Sequence, residues 1–290
     1  MIIDSHAHYN HGVFHKTARY LTREGNRFAL AEGDREAIFQ QLAEVGIRCS
    51  IEPGLNIDSC REVLALCRQY PGRLFPAIGV HPTRSILEDW SCRKELAALA
   101  AEPGVVALGE TGLDYHYKRE EQHRRKQFAW FLYQLDLARR VKKPLILHIR
   151  DAHRDALAIL RWHPARKLGG VVHCFNGDRD TAMCYVNLGY HIGIGGALLH
   201  PEERAGQLWE AVKAIPLDRI LLETDAPFIL PYCKDVIPGK QLRRTRNTSL
   251  ILPAVAEKIA ELKGITPEEV AAATTENAIR LFRLPVETDG

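Results

Sequence analysis

The sequence predicts a single-domain α/β protein built as a (β/α)8 barrel of the TIM type. Short apolar runs rich in β-branched residues alternate with longer segments of helical spacing, and eight such runs occur in the 290 residues. The runs are apolar almost throughout, which is typical of parallel strands covered on both faces. No Gly-rich nucleotide-binding motif follows any run, so a doubly wound open sheet, the alternative architecture, would lack its usual phosphate cradle.

The predicted strands are short and spread along the whole chain. Each is followed by a segment long enough to return to the start of a neighbouring parallel strand. The eight runs are Ile2–Asp4, Arg48–Ile51, Leu74–Gly79, Val105–Leu108, Leu145–Ile149, Gly170–His173, Tyr190–Ile194 and Ile220–Glu223.

Helical signals lie between and after these runs. The longest helix is predicted from about Glu120 to Val141. Two more helices follow the eighth strand, and Thr266-Pro267-Glu268-Glu269 has the pattern of a capping box with proline at the first helical position. The apolar positions predicted for the inner face of the longest helix are Phe128, Phe131, Leu132, Leu135 and Ala138.

Two connections are longer than a barrel requires, and both are basic. The first runs from Tyr9 to Gly33, and the last runs from Phe228 to Asn247 and includes Arg243 and Arg244 within a basic stretch. Both follow a strand, so a barrel places them on the C-terminal face, where the active site is built. We predict phosphate contacts from this basic stretch, with a solvated surface segment as the alternative. The basic residues of the first connection are His11, His15, Lys16, Arg19, Arg23 and Arg27.

Composition narrows the class of protein. The chain has no run of 18 apolar residues and no apolar leader before Ile2, so we expect a cytoplasmic protein with no membrane partner. Seven cysteines without a Cys-x-x-Cys pair argue against a disulfide framework and against cysteine-bound zinc. A net charge of +3 permits a polyanionic partner without requiring one.

Residues able to bind a metal follow one strand after another. His6 and His8 lie two residues apart, so on an extended strand they point to the same side. Barrel closure would bring them beside the end of the eighth strand. Together the four histidines and two carboxylates are suited to two divalent ions, with Mg²⁺, Mn²⁺ and Zn²⁺ all possible. The predicted ligands are His6, His8, Glu110, His148, His173 and Asp225.

Each of these residues also has a purely structural interpretation. His148 or His173 alone could bond a backbone carbonyl, and Asp225 alone could cap a turn. Their joint placement at strand ends favours the metal site. His81 reaches the same rim and is predicted to contact substrate or to be structural. Asp4 is predicted to orient a ligand histidine, with the end of the strand as the alternative.

Six motifs follow one another along the chain. They are His6-x-His8, Gly79-Val80-His81-Pro82, Gly109-Glu110-Thr111-Gly112-Leu113-Asp114, His148-x-Arg150-Asp151-Ala152, His173-Cys174-Phe175-Asn176-Gly177 and Glu223-Thr224-Asp225-Ala226-Pro227. In this order they resemble the TatD family of metal-dependent hydrolases, within the amidohydrolase superfamily. The resemblance implies that His6, His8, Glu110 and Asp225 hold one metal and that Glu110 bridges to a second. The second metal would be completed by His148 and His173.

The chain departs from the family pattern in three places. Tyr9 and Asn10 follow His8 where relatives usually carry Leu-Asp. Asn247-Thr248-Ser249 replaces the usual Asn-x-Pro, and the first connection is about a dozen residues longer than expected. None of these departures removes a predicted ligand.

The predicted activity is that of a deoxyribonuclease that hydrolyses phosphodiesters, and the resemblance implies 3′ to 5′ trimming of single strands. Two metals would activate a water and neutralise developing charge. Glu110 and Asp225 are the predicted catalytic residues, with Asp225 orienting the water and accepting its proton. Arg150, Arg243 and Arg244 would meet substrate phosphates, with His81 nearby. A D-aminoacyl-tRNA deacylase and a nucleic-acid-binding protein without turnover are the alternatives, and a monomer is the expected state.

Overall fold

A computed structural model describes residues 1–117, 120–234 and 237–286, and it confirms the predicted fold class. Every one of the eight predicted strands is present, and most ends shift by two residues or fewer. The strand predicted at Val105–Leu108 is the exception, because it runs from Ala107 to Asp114 and therefore contains Glu110. Three further strands lie in the two long connections. In chain order the strands are β1 (Ile2–Asp4), β2 (Ala18–Glu24), β3 (Arg27–Gly33), β4 (Ile47–Pro53), β5 (Leu74–Ile78), β6 (Ala107–Asp114), β7 (Leu145–Arg150), β8 (Gly170–His173), β9 (His191–Ile194), β10 (Ile220–Leu222) and β11 (Thr245–Arg246).

The main sheet contains β1 and β4 to β10, all parallel and all in chain order. The two ends of this sheet meet: the amide of Ser5 donates to the carbonyl of Leu222 at 2.9 Å, and the amide of Asp225 donates to the carbonyl of His6 at 2.9 Å. An unbroken strand order with closure excludes the doubly wound alternative, whose order reverses in the middle.

Helices cover the outside of the sheet. The predicted longest helix is correct to within one residue, and the capping box is present, with Thr266 and Glu269 bonded to one another's backbone amides. Phe128 was wrongly placed on the inner face, since its side chain is 42% exposed. None of the helices in the described ranges combines the length and apolar character needed to cross a bilayer. The helices are α1 (Arg35–Glu44), α2 (Ile57–Gln69), α3 (Arg93–Ala101), α4 (Glu121–Val141), α5 (His153–Trp162), α6 (Arg179–Asn187), α7 (Glu202–Ala214), α8 (Gly239–Leu242), α9 (Leu252–Lys263) and α10 (Pro267–Phe282).

Apolar side chains fill the lower part of the barrel, and the polar site lies above them. Because side chains alternate along a strand, Ile146 and His148 of β7 point inward, as do Val171 and His173 of β8. Phe282, at the end of α10, packs against the inner cluster from below. The barrel residues of this cluster include Ile3, Ile51, Ala77, Ala107, Ile146, Val171 and Leu221.

A bulge in β6 aims Glu110 into the barrel. The pairing of β6 with β7 shifts register between Leu108 and Thr111, so inward positions change from odd to even numbers along the strand. Ala107 therefore belongs to the inner cluster, Leu113 faces the helices, and Glu110 and Asp114 share the inner side.

The two long connections are joined by a small second sheet. β2 and β3 form an antiparallel hairpin, and β11 pairs with β2 in parallel, with Arg19 opposite Thr245. Some of the basic charge of the first connection is neutralised here. Arg19 pairs with Glu32 at 2.8 Å, and Arg23 pairs with Glu257 at 2.9 Å.

His191 provides a test of the packing at the start of β9. Its side chain is buried, and burial followed by the charge of Arg219 lowers its pKa to about 4. An unfolded chain binds the same proton near pH 6.5, so acid favours unfolding from about pH 6.5 down to pH 4. When the pH is lowered from 7 to 4, protonation of His191 in the unfolded chain decreases the free energy of unfolding of wild type. We expect this decrease to be about 3 kcal/mol smaller in His191→Leu.

The measurement is urea unfolding as a function of pH. His15→Leu, at an exposed position, is the matched control and should follow the wild-type curve. Parallel curves for wild type and His191→Leu would contradict a neutral, buried His191.

Candidate metal centre

Glu110 lies among four histidines, and its two carboxylate oxygens face different pairs. Oε2 lies 3.4 Å from Nε2 of His6 and 3.5 Å from Nε2 of His8. Oε1 lies 2.7 Å from Nε2 of His173 and 3.2 Å from Nδ1 of His148. One side chain therefore connects the pair that follows β1 to the pair on β7 and β8.

Asp225 completes the first set of donors. Its Oδ1 lies 3.6 Å from Nε2 of His6 and 3.4 Å from Nε2 of His8. The residue adopts a left-handed backbone with φ of 55°, a region that residues other than glycine rarely occupy. The hydrogen bond from the amide of Asp225 to the carbonyl of His6 holds this conformation after β10. Residues in rarely occupied backbone regions cluster at functional sites. The structure thus brings together all six predicted ligands.

The spacing of the donor atoms fits metal coordination. Nε2 of His6 and Nε2 of His8 lie 3.2 Å apart, and Nδ1 of His148 and Nε2 of His173 lie 3.0 Å apart. Two nitrogen ligands held about 2.0–2.1 Å from a tetrahedral ion stand roughly 3.3–3.4 Å from each other. Three groups of donors, drawn from the six residues and His81, each have their ligand atoms within 4.8 Å of one another. The mixture of imidazole and carboxylate is suited to divalent cations.

The two carboxylates are held in the charged form that a metal requires. Burial by itself would raise the pKa of Glu110, but the nearby imidazoles, with His173 foremost, hold it well below its usual range. Burial likewise opposes ionisation of Asp225, and the contact with His8 outweighs it and lowers the pKa. Both side chains are therefore anionic at neutral pH.

The histidines divide into two electrostatic classes. Burial and the proximity of His173 lower the pKa of His6 to about 4. Burial acts in the same direction on His8 and His148, but their carboxylate partners outweigh it and raise each pKa to about 9. The carboxylates thus stabilise positive charge at these rings, and a divalent cation bound there would take the place of a proton.

Asp114 is a functional residue to which the sequence analysis gave no role. Its Oδ2 lies 3.1 Å from Nε2 of His148 and accepts the proton of that nitrogen, so Nδ1, directed at Glu110, is the nitrogen that could exchange its proton for a cation. Asp114 is four residues after Glu110 in β6, and this even spacing is the signal that could have placed both on one side of the strand.

His6 and His173 are oriented by ring stacking, with centroids 3.9 Å apart.

His81 reaches the site as a hydrogen-bond donor. The amide of Thr83 donates to its Nδ1 at 3.1 Å, so the neutral ring carries its proton on Nε2. Nε2 lies 3.6 Å from Oε1 of Glu110, and burial lowers the pKa of the ring to about 3. A neutral donor at this position is suited to an oxygen acceptor of a substrate.

Asp4, predicted to orient a ligand histidine, contacts the backbone amide of His6 and two hydroxyl groups. Its carboxylate accepts from the amide of His6 at 3.1 Å and from the hydroxyls of Thr224 and Ser249, each at 2.6 Å. Burial raises its pKa to about 6 in spite of these hydrogen bonds. Asp4 therefore fixes the end of β1 against the segment that leads to Asp225.

A cavity of about 680 Å³ opens above the donors on the C-terminal face of the barrel. Arg150, predicted to contact substrate phosphates, lines this cavity, whereas Arg243 and Arg244 are exposed and do not line it. Arg84 and Arg204, which the sequence analysis did not consider, do line the wall. They come from the segments after β5 and β9 and lie outside the six motifs, although Arg84 is only two residues after Pro82. The role predicted for Arg243 and Arg244 stays a prediction.

Nearly the whole chain matches one known protein family. The family described as TatD related DNase matches residues 3–283 of the sequence. The chain belongs to the TatD family of metal-dependent hydrolases. The resemblance inferred from the six motifs is thus confirmed.

Individual TatD-family proteins are similar over most of their length. The uncharacterized metal-dependent hydrolase YcfH of Escherichia coli K12 is 42% identical over 206 residues, covering 71% of this chain and 72% of its own. The 3′-5′ ssDNA/RNA exonuclease TatD of Erwinia billingiae is 37% identical over 255 residues, covering 87% and 94%. The crystal structure of YjjV, a TatD homologue from E. coli K12, superimposes with a TM-score of 0.82 at 30% identity, covering 98% of each chain.

Proposed function

We propose that this TatD-family chain is a nuclease that removes nucleotides from the 3′ end of single-stranded DNA by metal-dependent hydrolysis. The observation that carries the proposal is the position of Glu110, with one oxygen toward each set of histidines at the floor of an open cavity. Relatives named as 3′-5′ ssDNA/RNA exonucleases support the choice of substrate. The cytoplasmic location and the monomeric state stay predictions.

We propose that His6, His8, Asp225 and Glu110 hold one divalent cation, and that Glu110, His148 and His173 hold another. Mg²⁺, Mn²⁺ and Zn²⁺ are the candidates. Two such cations would lower the pKa of a water and neutralise charge on the phosphoryl oxygens.

The exposed fractions of the two carboxylate side chains indicate different roles for them. The side chain of Glu110 is 3% exposed and is surrounded by other donors, which suits a residue that holds the metals. The side chain of Asp225 is 16% exposed and lines the cavity. We assign to Asp225 the task of orienting the attacking water and taking its proton on a carboxylate oxygen. His81 would donate from Nε2 to an oxygen of the substrate.

The charge on the cavity wall is suited to a phosphodiester strand. The carboxylates that line the cavity are Glu110, Asp114 and Asp225, all at the metal centre, while Arg84, Arg150 and Arg204 line its walls. Guanidinium groups match the geometry of phosphate oxygens, so these three arginines would position the phosphates that flank the scissile bond.

The test is digestion of a 5′-labelled single-stranded oligonucleotide by the purified protein with Mg²⁺ or Mn²⁺. We expect stepwise shortening from the 3′ end, complete inhibition by a chelator, and recovery when the metal is restored. The same preparation is assayed on a D-aminoacyl-tRNA. Deacylation without DNA shortening would indicate a carboxylic ester hydrolase, and salt-dependent DNA binding without hydrolysis would indicate a binding protein. Either outcome contradicts the proposal.

A further inference from the structure

An exposed aromatic side chain stands beside the proposed reaction centre. Phe228 lies three residues after Asp225, lines the cavity and is 45% exposed. Its ring centroid is 6.0 Å from that of His8 and 5.6 Å from that of His11, and both contacts are T-shaped. Neither imidazole therefore stacks flat on the phenyl ring.

The backbone around Phe228 is fixed to the same segment that carries Asp225. The amide of Phe228 donates to the carbonyl of Asp225 at 2.8 Å. Asn247, fully buried, donates from its amide to the carbonyl of Pro227 and from its side chain to the carbonyl of Ile229, each at 3.1 Å. These bonds fix the backbone that carries the phenyl ring relative to the donors.

The other exposed aromatic at the cavity is already engaged. The hydroxyl of Tyr117 accepts from Arg150 at 3.2 Å, and the guanidinium lies 4.8 Å from the centre of its ring. This arrangement directs Arg150 as a cation toward the cavity. Among the described residues no lysine or arginine lies over the ring of Phe228, and the residue is 45% exposed, so this ring is the aromatic surface available to a ligand.

We propose that Phe228 stacks on a nucleobase next to the scissile phosphodiester. The inference rests on the proposed nuclease function and adds a base-recognition element to it. Aromatic rings bind single strands by stacking on bases, because every base has a π-face, while cations contact the backbone. A base paired and stacked in a duplex is not free to reach Phe228, so this contact favours unpaired ends.

The experiment compares two 5′-labelled oligonucleotides with identical phosphodiesters. One ends in ordinary nucleotides, and in the other the last two residues carry tetrahydrofuran in place of base and sugar. Wild type should hydrolyse the normal end at least about fivefold faster, as expected for loss of one stacking contact. Phe228→Ala and Phe228→Leu should lose this preference, while Phe228→Trp keeps it. Phe128→Ala is the matched control, because Phe128 is 42% exposed on α4 and does not line the cavity.

The outcomes separate this inference from the proposed function. A wild type that hydrolyses neither oligonucleotide contradicts the nuclease itself. A wild type that hydrolyses both equally, or a Phe228→Ala variant that keeps the preference, overturns the stacking role and leaves the nuclease standing. A Phe228→Leu variant that behaves as wild type also overturns stacking, because an aliphatic side chain supplies apolar contact without a ring.

Discussion

Glu110→Gln is expected to abolish DNA hydrolysis, with kcat/KM lowered by at least about a thousandfold. The two oxygens of Glu110 face separate sets of histidines, so a single substitution removes an anionic donor from both. The amide that replaces one oxygen would point N–H groups at ring nitrogens that need an acceptor or a cation. Metal-assisted charge stabilisation is worth several kcal/mol, and each 1.36 kcal/mol corresponds to a tenfold change in rate.

The measurement combines a nuclease assay with metal content determined by mass spectrometry after dialysis. Glu110→Gln should retain less metal per chain than wild type. Glu52→Gln is the matched control, since Glu52 is also fully buried, and its carboxylate accepts from the amide of Tyr9 at 2.7 Å. Burial raises the pKa of Glu52 to about 7, so a neutral amide is compatible with its site. Full metal content and full activity in Glu110→Gln would contradict the bridging role.

The barrel and its six donors could be predicted because the hydrophobic runs of the strands, and the residues that follow them, are visible in the local sequence. A period of two places His6 with His8, and closure places Asp225 beside them without any knowledge of packing. His148 and His173 each lie two residues after an inward apolar residue, so the same rule placed them at the mouth.

Features that depend on long-range contact were not predictable in this way. The register shift in β6 is invisible in the local sequence, and yet it decides that Glu110 and Asp114 both point inward. The hairpin of β2 and β3 alternates poorly between apolar and polar residues, and its partner β11 lies more than 200 residues further along the chain, so the local sequence did not reveal this sheet. Arg84 and Arg204 reach the cavity from positions that no motif marks.

Two of the three departures from the family pattern meet in the structure. The hydroxyl of Tyr9 lies 2.8 Å from Oγ of Ser249, and the amide of Ser249 donates to the Tyr9 hydroxyl at 3.0 Å. Proline at position 249 could make neither contact, because it has no hydroxyl and no amide hydrogen. The hydroxyl of Ser249 also donates to the carboxylate of Asp4. Tyr9 and Ser249, the two residues that depart from the family pattern, therefore hold the segment after β1 in place. The departures are thus compensated locally, and the predicted ligands are left unchanged.

Asp225→Asn is expected to lower kcat on single-stranded DNA by about a hundredfold to a thousandfold, with metal content near wild type. The asparagine carbonyl keeps an oxygen donor beside His6 and His8, but the amide is not a base and cannot accept a proton from water. Loss of a general base costs about 10²-fold to 10⁴-fold in rate. KM should change little, because the arginines of the cavity wall are untouched.

Single-turnover and steady-state assays with parallel metal analysis decide between proton transfer and simple ligation. The control is Asp178→Asn, since Asp178 caps α6 by accepting from the amide of Thr181 at 2.8 Å, and asparagine caps a helix equally well. Its rate should equal that of wild type. An Asp225→Asn protein that loses metal in proportion to activity would make Asp225 a ligand without a role in proton transfer. Because Asp225 is the more exposed of the two carboxylates, we expect activity to be lost while metal is retained.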